Sequence, residues 1–263
     1  MPGDDFSDLA GKVAIVTGSG RPNGIGAAIA RTLARNGVSV TINYVSERSA
    51  KPAEDLAQSI RDEYKVGVAV VHQDVSSPEG AQRIVAETMK QLGVDHIDIL
   101  VNNAGLTRPG PLLEATVADI EKQFSVLVYG PLYLTQAVVG LGKMPKGGRI
   151  INIGSIGSRT FPVALPVYAA AKSALDILTV LWAGELGRTH GITVNTVAPG
   201  PIATDLVDKT PETASELVVQ QRGSDRIGEP QHMADVVLLI ASEKSRWLTA
   251  KYIAVDAGIL GNC

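Results

Sequence analysis

The sequence contains little of what disulfide-bonded, metal-binding or nucleic-acid-binding proteins depend on. Its 263 residues include one cysteine, Cys263, which excludes an intrachain disulfide and a multi-cysteine metal site. The four histidines form no zinc-binding HExxH pattern, so we assign no metal ligand. The formal charge of −3 argues against a mainly electrostatic nucleic-acid binder, because such a protein needs a basic surface. We therefore expect no metal and no nucleic-acid partner.

Long hydrophobic runs are also missing. The longest, such as Val236–Ala241, are too short to span a bilayer, and residues 1–6 carry two aspartates instead of the apolar core of a signal peptide. These absences predict a cytoplasmic protein with no membrane partner. Hydrophobic residues make up 45% of the chain, and no linker-like stretch divides it. We therefore predict one domain over residues 1–263, in which the long, mixed segment 203–228 forms a substrate lid.

Short apolar runs alternate with longer segments of helical periodicity. Many runs are apolar at successive positions, which is typical of strands buried on both faces of a parallel sheet. The alternation predicts an α/β fold: one doubly wound Rossmann domain with a parallel seven-stranded sheet and helices on both faces. The predicted strands are Lys12–Thr17, Val38–Asn43, Val66–Asp74, Ile97–Asn102, Arg149–Gly154, Ile192–Val197 and Tyr252–Val255. The predicted helices cover residues 24–36, 52–64, 78–92, 114–141, 166–189, 203–222 and 230–242.

A glycine-rich turn, Thr17–Gly26, lies between the first predicted strand and the first predicted helix. Glycines allow a tight turn and the close approach of a pyrophosphate, whose charge is favoured by the amides at a helix N-terminus. Taken alone, such a turn is weak evidence, since glycine is the default loop residue. Its place between a strand and a helix favours dinucleotide binding.

This turn resembles the cofactor loop of the short-chain dehydrogenase/reductases, Thr-Gly-x-x-x-Gly-x-Gly. It departs from that pattern by a two-residue insertion, Pro22-Asn23, which we expect to reshape the rim of the loop. Asn102–Gly105 and Tyr252–Gly258 also match the family, so the resemblance covers nearly the whole chain. It implies a nicotinamide cofactor and a homo-oligomer, either dimer or tetramer.

The resemblance also implies where the cofactor would be held. In the loop the contacts would be Gly18, Gly24, Ile25 and Gly26. Adenosine would lie against Asp74, Val75, Asn102, Ala104 and Gly105. The nicotinamide and its ribose would meet Tyr168, Lys172, Pro199, Gly200, Ile202 and Thr204. Ordinary loop chemistry is the alternative for several of these: a helix cap or turn at Asp74, side chain to backbone bonds at Asn102 and Asn103, and a helix cap at Thr204.

The end of the second strand favours NADP(H) over NAD(H). An enzyme that prefers NAD usually has a carboxylate there to accept from the ribose 2′-OH, whereas this chain has the neutral Asn43. Arg21, Ser46 and Arg48 are placed to receive a 2′-phosphate. NAD(H) stays an alternative because Glu47 could accept from the 2′-OH.

The strongest chemical signal is Ser155 followed by Tyr168 and Lys172. Tyrosine and lysine at i and i+4 share a helix face, and an ammonium beside a phenol favours the phenolate, which predicts a lowered Tyr168 pKa. Such a tyrosine can exchange a proton with a carbonyl oxygen, and Ser155 can polarise the same carbonyl. The thirteen-residue step from Ser155 to Tyr168 is the family's usual spacing. The resemblance makes these three the catalytic residues.

One family residue is absent. The helix after Asn102–Gly105 normally carries an asparagine that holds a water of the proton relay, and Leu127 stands at that place. Leucine can neither donate nor accept a hydrogen bond, so we hypothesise that another water or Ser125 compensates.

These features predict an NADPH-dependent oxidoreductase that moves a hydride between nicotinamide and a ketone or secondary alcohol. The nearest members by motif are 3-oxoacyl-acyl-carrier-protein reductases and fungal polyketide or naphthol reductases. The substrate would be an apolar small-molecule carbonyl, such as a polyketide or a 3-oxoacyl compound. The predicted pocket residues are Ser155, Ile156, Phe161, Leu206 and Val207. The alternative is a non-redox isomerase, dehydratase or nucleotide-binding regulator on the same scaffold.

Overall fold

Seven parallel strands form one sheet in the computed structural model, which describes residues 6–204, 216 and 218–261. The strands are β1 (Val13–Val16), β2 (Ser39–Tyr44), β3 (Val68–His72), β4 (Ile99–Asn102), β5 (Arg149–Ile153), β6 (Thr193–Pro199) and β7 (Tyr252–Val255). Their spatial order is β3-β2-β1-β4-β5-β6-β7. The chain leaves β1 in one direction and returns on its other side at β4, so the sheet has its topological switch point between these two strands.

Helices cover both faces of the sheet, as the sequence predicted. They are α1 (Ile25–Arg35), α2 (Ala50–Tyr64), α3 (Pro78–Leu92), α4 (Val117–Phe124), α5 (Gly130–Gly140), α6 (Gly157–Thr160), α7 (Pro166–His190) and α8 (Pro230–Ala241). One apolar core lies between the sheet and α1, α2 and α8. The other lies between the sheet and α3, α5 and α7. Successive residues of β1 face opposite cores, which explains why this strand is apolar throughout.

Local signals fix several helix ends. The Ser77 hydroxyl accepts from the Gly80 amide at 3.0 Å, and Pro78 is the first residue of α3. Gly191 ends α7 with φ +69°, a conformation that favours glycine. These confirm the predicted helix boundaries.

The segment predicted as one helix over residues 114–141 is interrupted. Between α4 and α5 lies a π-helix, Ser125–Tyr129, in which the Gly130 amide donates to Ser125 five residues back. Pro131 follows, and because it has no N–H it cannot bond the Leu127 carbonyl four residues before it. The wider turn is therefore a consequence of the proline at the start of α5.

One described helix, Pro166–His190, is long and apolar enough to cross a membrane by length and composition alone. In the fold, this helix α7 packs against β6 and supplies Tyr168 and Lys172. The predicted helix over residues 203–222 falls mostly outside the described residues.

Candidate functional site

A cleft of about 990 Å³ opens at the carboxyl ends of the strands, at the switch point between β1 and β4. This is where ligands bind in open α/β sheets. Its lining brings together most of the residues predicted from the sequence: Gly18, Arg21, Gly24, Ile25, Gly26, Asn43, Ser46, Asp74, Val75, Ala104, Gly105, Ser155, Ile156, Phe161, Tyr168, Lys172, Pro199, Gly200, Ile202 and Thr204. The predicted pocket residues Leu206 and Val207 lie outside the described residues.

Two glycines of the loop are packed too closely against neighbouring atoms to carry a side chain. Gly18 has φ +62°, and a Cβ there would lie 2.8 Å from the Ala104 Cα. A Cβ on Gly26, in the first turn of α1, would lie 2.5 Å from the Asn103 side-chain nitrogen and 2.9 Å from the Ser19 Cα. The loop therefore packs backbone against backbone at the start of α1, as only glycine permits, and a helix N-terminus in this position favours a pyrophosphate.

The insertion in this loop forms a turn at the rim. The Gly24 amide donates to the Arg21 carbonyl at 3.0 Å, which closes a four-residue turn around Pro22-Asn23. Arg21 and Gly24 line the cleft, whereas the two inserted residues do not. The expected reshaping is therefore confined to the edge of the loop.

Asn43 is buried and its amide is fully occupied. Its Oδ1 accepts from the Gly18 amide at 3.3 Å, and its Nδ2 donates to the carbonyls of Val71 at 3.2 Å and Gln73 at 2.9 Å. Asn43 thus connects β2 to the glycine-rich loop and to the end of β3. It has this structural role in addition to placing a neutral side chain where NAD-preferring enzymes have a carboxylate.

Three further polar side chains line the cleft together with Asn43: Arg21, Ser46 and Arg48. Arg48 donates through Nε to the Ser46 hydroxyl at 3.2 Å, and both residues line the cleft together with Arg21. Neither guanidinium has a carboxylate within 4.0 Å in the described part of the chain. Glu47 does not line the cleft, and its carboxylate lies 3.5 Å from the His72 ring.

The prediction for Asn102 needs a correction. Its side chain is buried beneath the cleft and donates to the Asn152 Oδ1 at 2.8 Å. Successive residues of a strand point in opposite directions, and Asn103 is the one that lines the cleft. The Asn103 amide donates to the carbonyls of Thr17 at 2.7 Å and Gly18 at 3.2 Å, so it anchors the glycine-rich loop. This bonding to loop backbone is the alternative that the sequence offered for both asparagines, whereas the place of Asn103 in the cleft was not predicted.

The Asp74 carboxylate is held in place by the amide of Ser76 and by the side chain of Lys122. Its Oδ1 accepts from the Ser76 amide at 2.9 Å, and its Oδ2 accepts from Lys122 at 3.3 Å. Burial raises the pKa of this carboxyl, and the hydrogen bonds from Ser76 with the Lys122 ammonium outweigh that effect, so the pKa is lowered. Lys122, which also lines the cleft, was not predicted.

The three predicted catalytic residues meet on one wall of the cleft. Ser155 follows β5 and accepts from the Gly157 amide at 3.0 Å, and Tyr168 near the start of α7 lines the same cleft. Lys172, one turn beyond Tyr168 on α7, donates to the Ile153 carbonyl at 2.7 Å. Its ammonium lies 5.9 Å from the centre of the Tyr168 ring. Two hydroxyl groups and one amine are thus aimed at the same part of the cleft.

The predicted lowering of the Tyr168 pKa is wrong for this structure. Burial raises the pKa of Tyr168, and the hydrogen bond with Ser155 only partly counters it. Lys172 is itself buried, and burial lowers its pKa from 10.5 to about 8 although the charge of Asp176 opposes the change. Tyr168 is therefore a neutral phenol at pH 7.

Leu127 lies in the π-helix and is buried in a small apolar cluster with Val128, Ala171 and Tyr168. Ser125, which we hypothesised to compensate for it, donates its hydroxyl to the Lys122 carbonyl at 3.0 Å. That hydroxyl is committed to its own helix, so the structure does not support the compensation by Ser125.

The nicotinamide end of the cleft is built where β6 leaves the sheet. The Pro199 carbonyl accepts from the Ile156 amide at 3.0 Å, and a Cβ on Gly200 would lie 2.8 Å from the Asp256 Cα. Ile202 pairs with Gly228 in an isolated bridge. These contacts hold the turn after β6 against the active-site wall.

An apolar rim lies beyond the catalytic wall. Phe161 ends α6 in the left-handed region, with φ +53°, and its side chain is 73% exposed. A bulky residue in this conformation is strained, and such strain concentrates at functional positions. The rim continues through Leu106, Pro109, Val163 and Leu165. A hydrogen bond from the Gly110 amide to the Ala164 carbonyl, 3.0 Å long, joins its two loops.

Known proteins share this fold and sequence along nearly their whole length. A family model described as enoyl-(acyl carrier protein) reductase matches residues 18–260. The short-chain dehydrogenase/reductase FrzI of Cladobotryum sp is 37% identical over 96% of this chain and 97% of its own. The 3-oxoacyl-acyl-carrier-protein reductase FabG of Thermotoga maritima is 32% identical over 96% of this chain and 99% of its own.

Solved structures agree. A blue fluorescent protein from a metagenomic library, in complex with NADPH, superimposes with a TM-score of 0.89 at 39% identity, over 96% of this chain and 99% of that one. The landomycin C-6 ketoreductase LanV, with bound NADP and rabelomycin, gives 0.85 at 32% identity, over 97% and 98%. The chain belongs to the short-chain dehydrogenase/reductase family, whose members are nicotinamide-dependent oxidoreductases. The predicted family and fold are confirmed.

Proposed function

We propose that the protein is an NADPH-dependent reductase of ketones on apolar small molecules, and that it also oxidises the corresponding secondary alcohols. The observation that carries this proposal is the convergence of Ser155, Tyr168 and Lys172 on one cleft whose other end is the glycine-rich loop. A dinucleotide that lies along this cleft would have its phosphates at the loop and its reactive ring beside the two hydroxyl groups.

The residues present fit a nicotinamide dinucleotide. Gly18, Gly24 and Gly26 line the cleft at the N-terminus of α1, where a pyrophosphate would bind, and Lys172 can donate to the hydroxyl groups of the nicotinamide ribose. The two guanidinium groups of Arg21 and Arg48, together with the neutral Asn43, favour the 2′-phosphate of NADP(H) over the bare ribose of NAD(H). Two solved relatives hold NADPH or NADP, which supports the same preference.

The chemistry divides between cofactor and protein. When bound, the cofactor supplies or accepts a hydride at the nicotinamide C4. The hydroxyl groups of Ser155 and Tyr168 donate to the substrate carbonyl oxygen and polarise it. Tyr168, a neutral phenol at pH 7, then gives its proton to that oxygen, and in oxidation it takes the proton back. The Lys172 ammonium stabilises the phenolate that remains.

The apolar rim of Phe161, Val163 and Leu165 supports an apolar, extended substrate. No arginine or lysine among the described residues lines that side of the cleft, so a phosphorylated substrate would find no partner there. A 3-oxoacyl compound or an aromatic polyketide fits this lining. Glu216 and Gln220 line the cleft as well, which supports a substrate lid over residues 203–228 within a single domain.

Activity screening tests the proposal. NADPH deuterated at C4 would be incubated with quinones, 3-oxoacyl thioesters and aromatic polyketides, and deuterium in the product alcohol would be measured by mass spectrometry. We expect deuterium transfer to at least one of these apolar classes. Tight NADPH binding without transfer to any carbonyl would favour the non-redox alternative, an isomerase, dehydratase or regulator.

We also propose a homo-oligomer. Ile177, Val180 and Leu181 on α7 are each at least half exposed, and Val117 on α4 is more exposed still. Large apolar side chains that cluster on neighbouring helices mark an interface. Light scattering after size exclusion would show a dimer or tetramer, and Leu181→Glu is expected to reduce it to monomers. A monomeric wild type would contradict this proposal. The cytoplasmic location stays a prediction from the sequence.

A further inference from the structure

A buried carboxylate, Asp176, lies one helical turn beyond Lys172 on α7 and has no part in the chemistry described above. It is 8% exposed. Tyr168, Lys172 and Asp176 follow one another at four-residue intervals and so share one face of the helix. A buried carboxylate is costly unless something compensates its charge, which makes its position informative.

Its contacts lead back to the catalytic wall. Oδ2 accepts from the Ser158 hydroxyl at 2.7 Å, and the same hydroxyl lies 2.8 Å from the Ser155 carbonyl. Oδ1 has no hydrogen-bond partner in the described part of the chain, and a Cβ on Gly154 would lie 3.3 Å from it. The carboxylate therefore lies directly beneath the end of β5.

Three successive residues at the end of β5, Ile153–Ser155, are each contacted by a side chain of this buried cluster. Lys172 donates to the Ile153 carbonyl at 2.7 Å, Asp176 lies against Gly154, and the Ser155 carbonyl accepts from the Tyr252 hydroxyl at 2.9 Å. These contacts fix the backbone at residues 153–155 and so determine the direction of the Ser155 side chain.

The titratable groups that face Asp176 come from three elements: the Lys172 ammonium on its own helix, the Arg159 guanidinium on α6 and the neutral Tyr252 phenol on β7. Arg159 also stacks on the Tyr252 ring at 4.3 Å. Burial raises the pKa of Asp176, and the Ser158 hydrogen bond and the two cations oppose it. Among the described residues, the Asp176 carboxylate in turn favours the ammonium form of Lys172.

The Ser158 hydroxyl has a single proton for two acceptors. When Asp176 is ionised, that proton goes to the carboxylate in a charge-assisted bond. When Asp176 is protonated, the carboxyl donates to Ser158, whose proton then goes to the Ser155 carbonyl. The charge on Asp176 thus affects the protonation of Lys172, and it also determines whether the Ser158 hydroxyl donates to Asp176 or to the Ser155 carbonyl.

We propose that Asp176 is a positioning residue of this active site, which keeps Lys172 charged and holds the Ser155–Ser158 turn in the geometry for carbonyl binding. The part that concerns carbonyl binding rests on the proposed function. The part that concerns the charge of Lys172 does not, so it can be tested without a substrate.

The first test is an NMR titration of full-length protein with ¹³C-labelled lysine, in which Lys172→Arg assigns the Lys172 signal. In Asp176→Asn, where an amide can still donate to Ser158, we expect Lys172 to titrate about one pH unit lower than in the wild type. The matched control is Asp55→Asn, since Lys51 and Asp55 form an exposed pair with the same spacing on α2. An unchanged Lys172 titration in folded Asp176→Asn would overturn the proposal.

A second variant serves if Asp176→Asn does not fold. Ser158→Ala keeps the carboxylate and removes its hydroxyl donor, so we expect kcat for carbonyl reduction to fall about fivefold, the effect of one hydrogen bond, with KM for NADPH unchanged. Unaltered kcat would overturn the positioning role. A wild type that reduces no carbonyl would instead reject the proposed function, and the titration would still decide the role of Asp176.

Discussion

Replacing Lys172 by methionine should make the protein more stable at neutral pH while abolishing its function. Lys172 is buried, and its pKa falls from 10.5 to about 8 on folding, a value that already includes the attraction of Asp176. The native state therefore binds fewer protons than the unfolded chain between about pH 8 and 10.5. Stability rises with pH wherever the unfolded state binds more protons, so the wild type gains stability across this window.

The magnitude follows from the size of the shift. The difference between 10.5 and about 8 corresponds to about 3 kcal/mol at roughly 1.36 kcal/mol per pH unit. Methionine has nearly the same length and no charge, so it avoids this cost at pH 7. It also leaves the Ile153 carbonyl without its donor, which costs about 1 kcal/mol. We expect Lys172→Met to be about 2 kcal/mol more stable than the wild type at pH 7.

Urea unfolding at pH 7 and pH 10 without cofactor measures this difference. Because the wild type recovers most of the charge cost by pH 10, the advantage of Lys172→Met should shrink by about 2–3 kcal/mol over that range. Subtracting the two proteins removes the contributions of other titrating groups. A variant less stable than the wild type at pH 7, with a difference that does not change with pH, would refute the reasoning.

Three further changes test other parts of the site. Arg48→Glu should raise KM for NADPH about tenfold to a hundredfold and leave KM for NADH nearly unchanged, since a charged hydrogen bond contributes about 1.5–3 kcal/mol. Steady-state kinetics that show the same change in KM for both cofactors would contradict the NADP preference. Gly26→Ala should weaken NADPH binding at least about tenfold in calorimetry, because the new Cβ would lie 2.5 Å from the Asn103 side-chain nitrogen. The control is Gly184→Ala, where a Cβ would have no atom within 4 Å. This control should bind NADPH normally and be about 0.5–1 kcal/mol more stable than the wild type. Phe161→Asn should raise KM for a bulky ketone about tenfold without lowering Tm, because asparagine tolerates the left-handed region; an unchanged KM would place the substrate elsewhere.

The sheet could be predicted from the sequence because its strands are apolar on both faces and each is followed by a helix. Strand ends such as Asn43 and Ser155 could be predicted for the same reason, since a parallel sheet brings its carboxyl ends to one edge. The π-helix could not, because helical periodicity continues through Ser125–Tyr129 and only the missing N–H of Pro131 reveals the break.

What escaped prediction depends on burial and direction, which a motif does not contain. Asn102 and Asn103 are alike in sequence, yet one points under the sheet and the other into the cleft. The Tyr168 pKa was predicted from the neighbouring charge alone, whereas burial of both side chains decides its direction. Asp176 gave no sequence signal, since a carboxylate on a long helix is usually exposed.

Tyr168→Phe tests the central claim most directly, since it removes one oxygen atom and keeps the ring. Calorimetry should show NADPH bound with nearly the wild-type Kd, and deuterium transfer to a ketone should fall by about 10² to 10⁴, the contribution of a positioned acid. Transfer at the wild-type rate would show that the Tyr168 hydroxyl does not protonate the carbonyl.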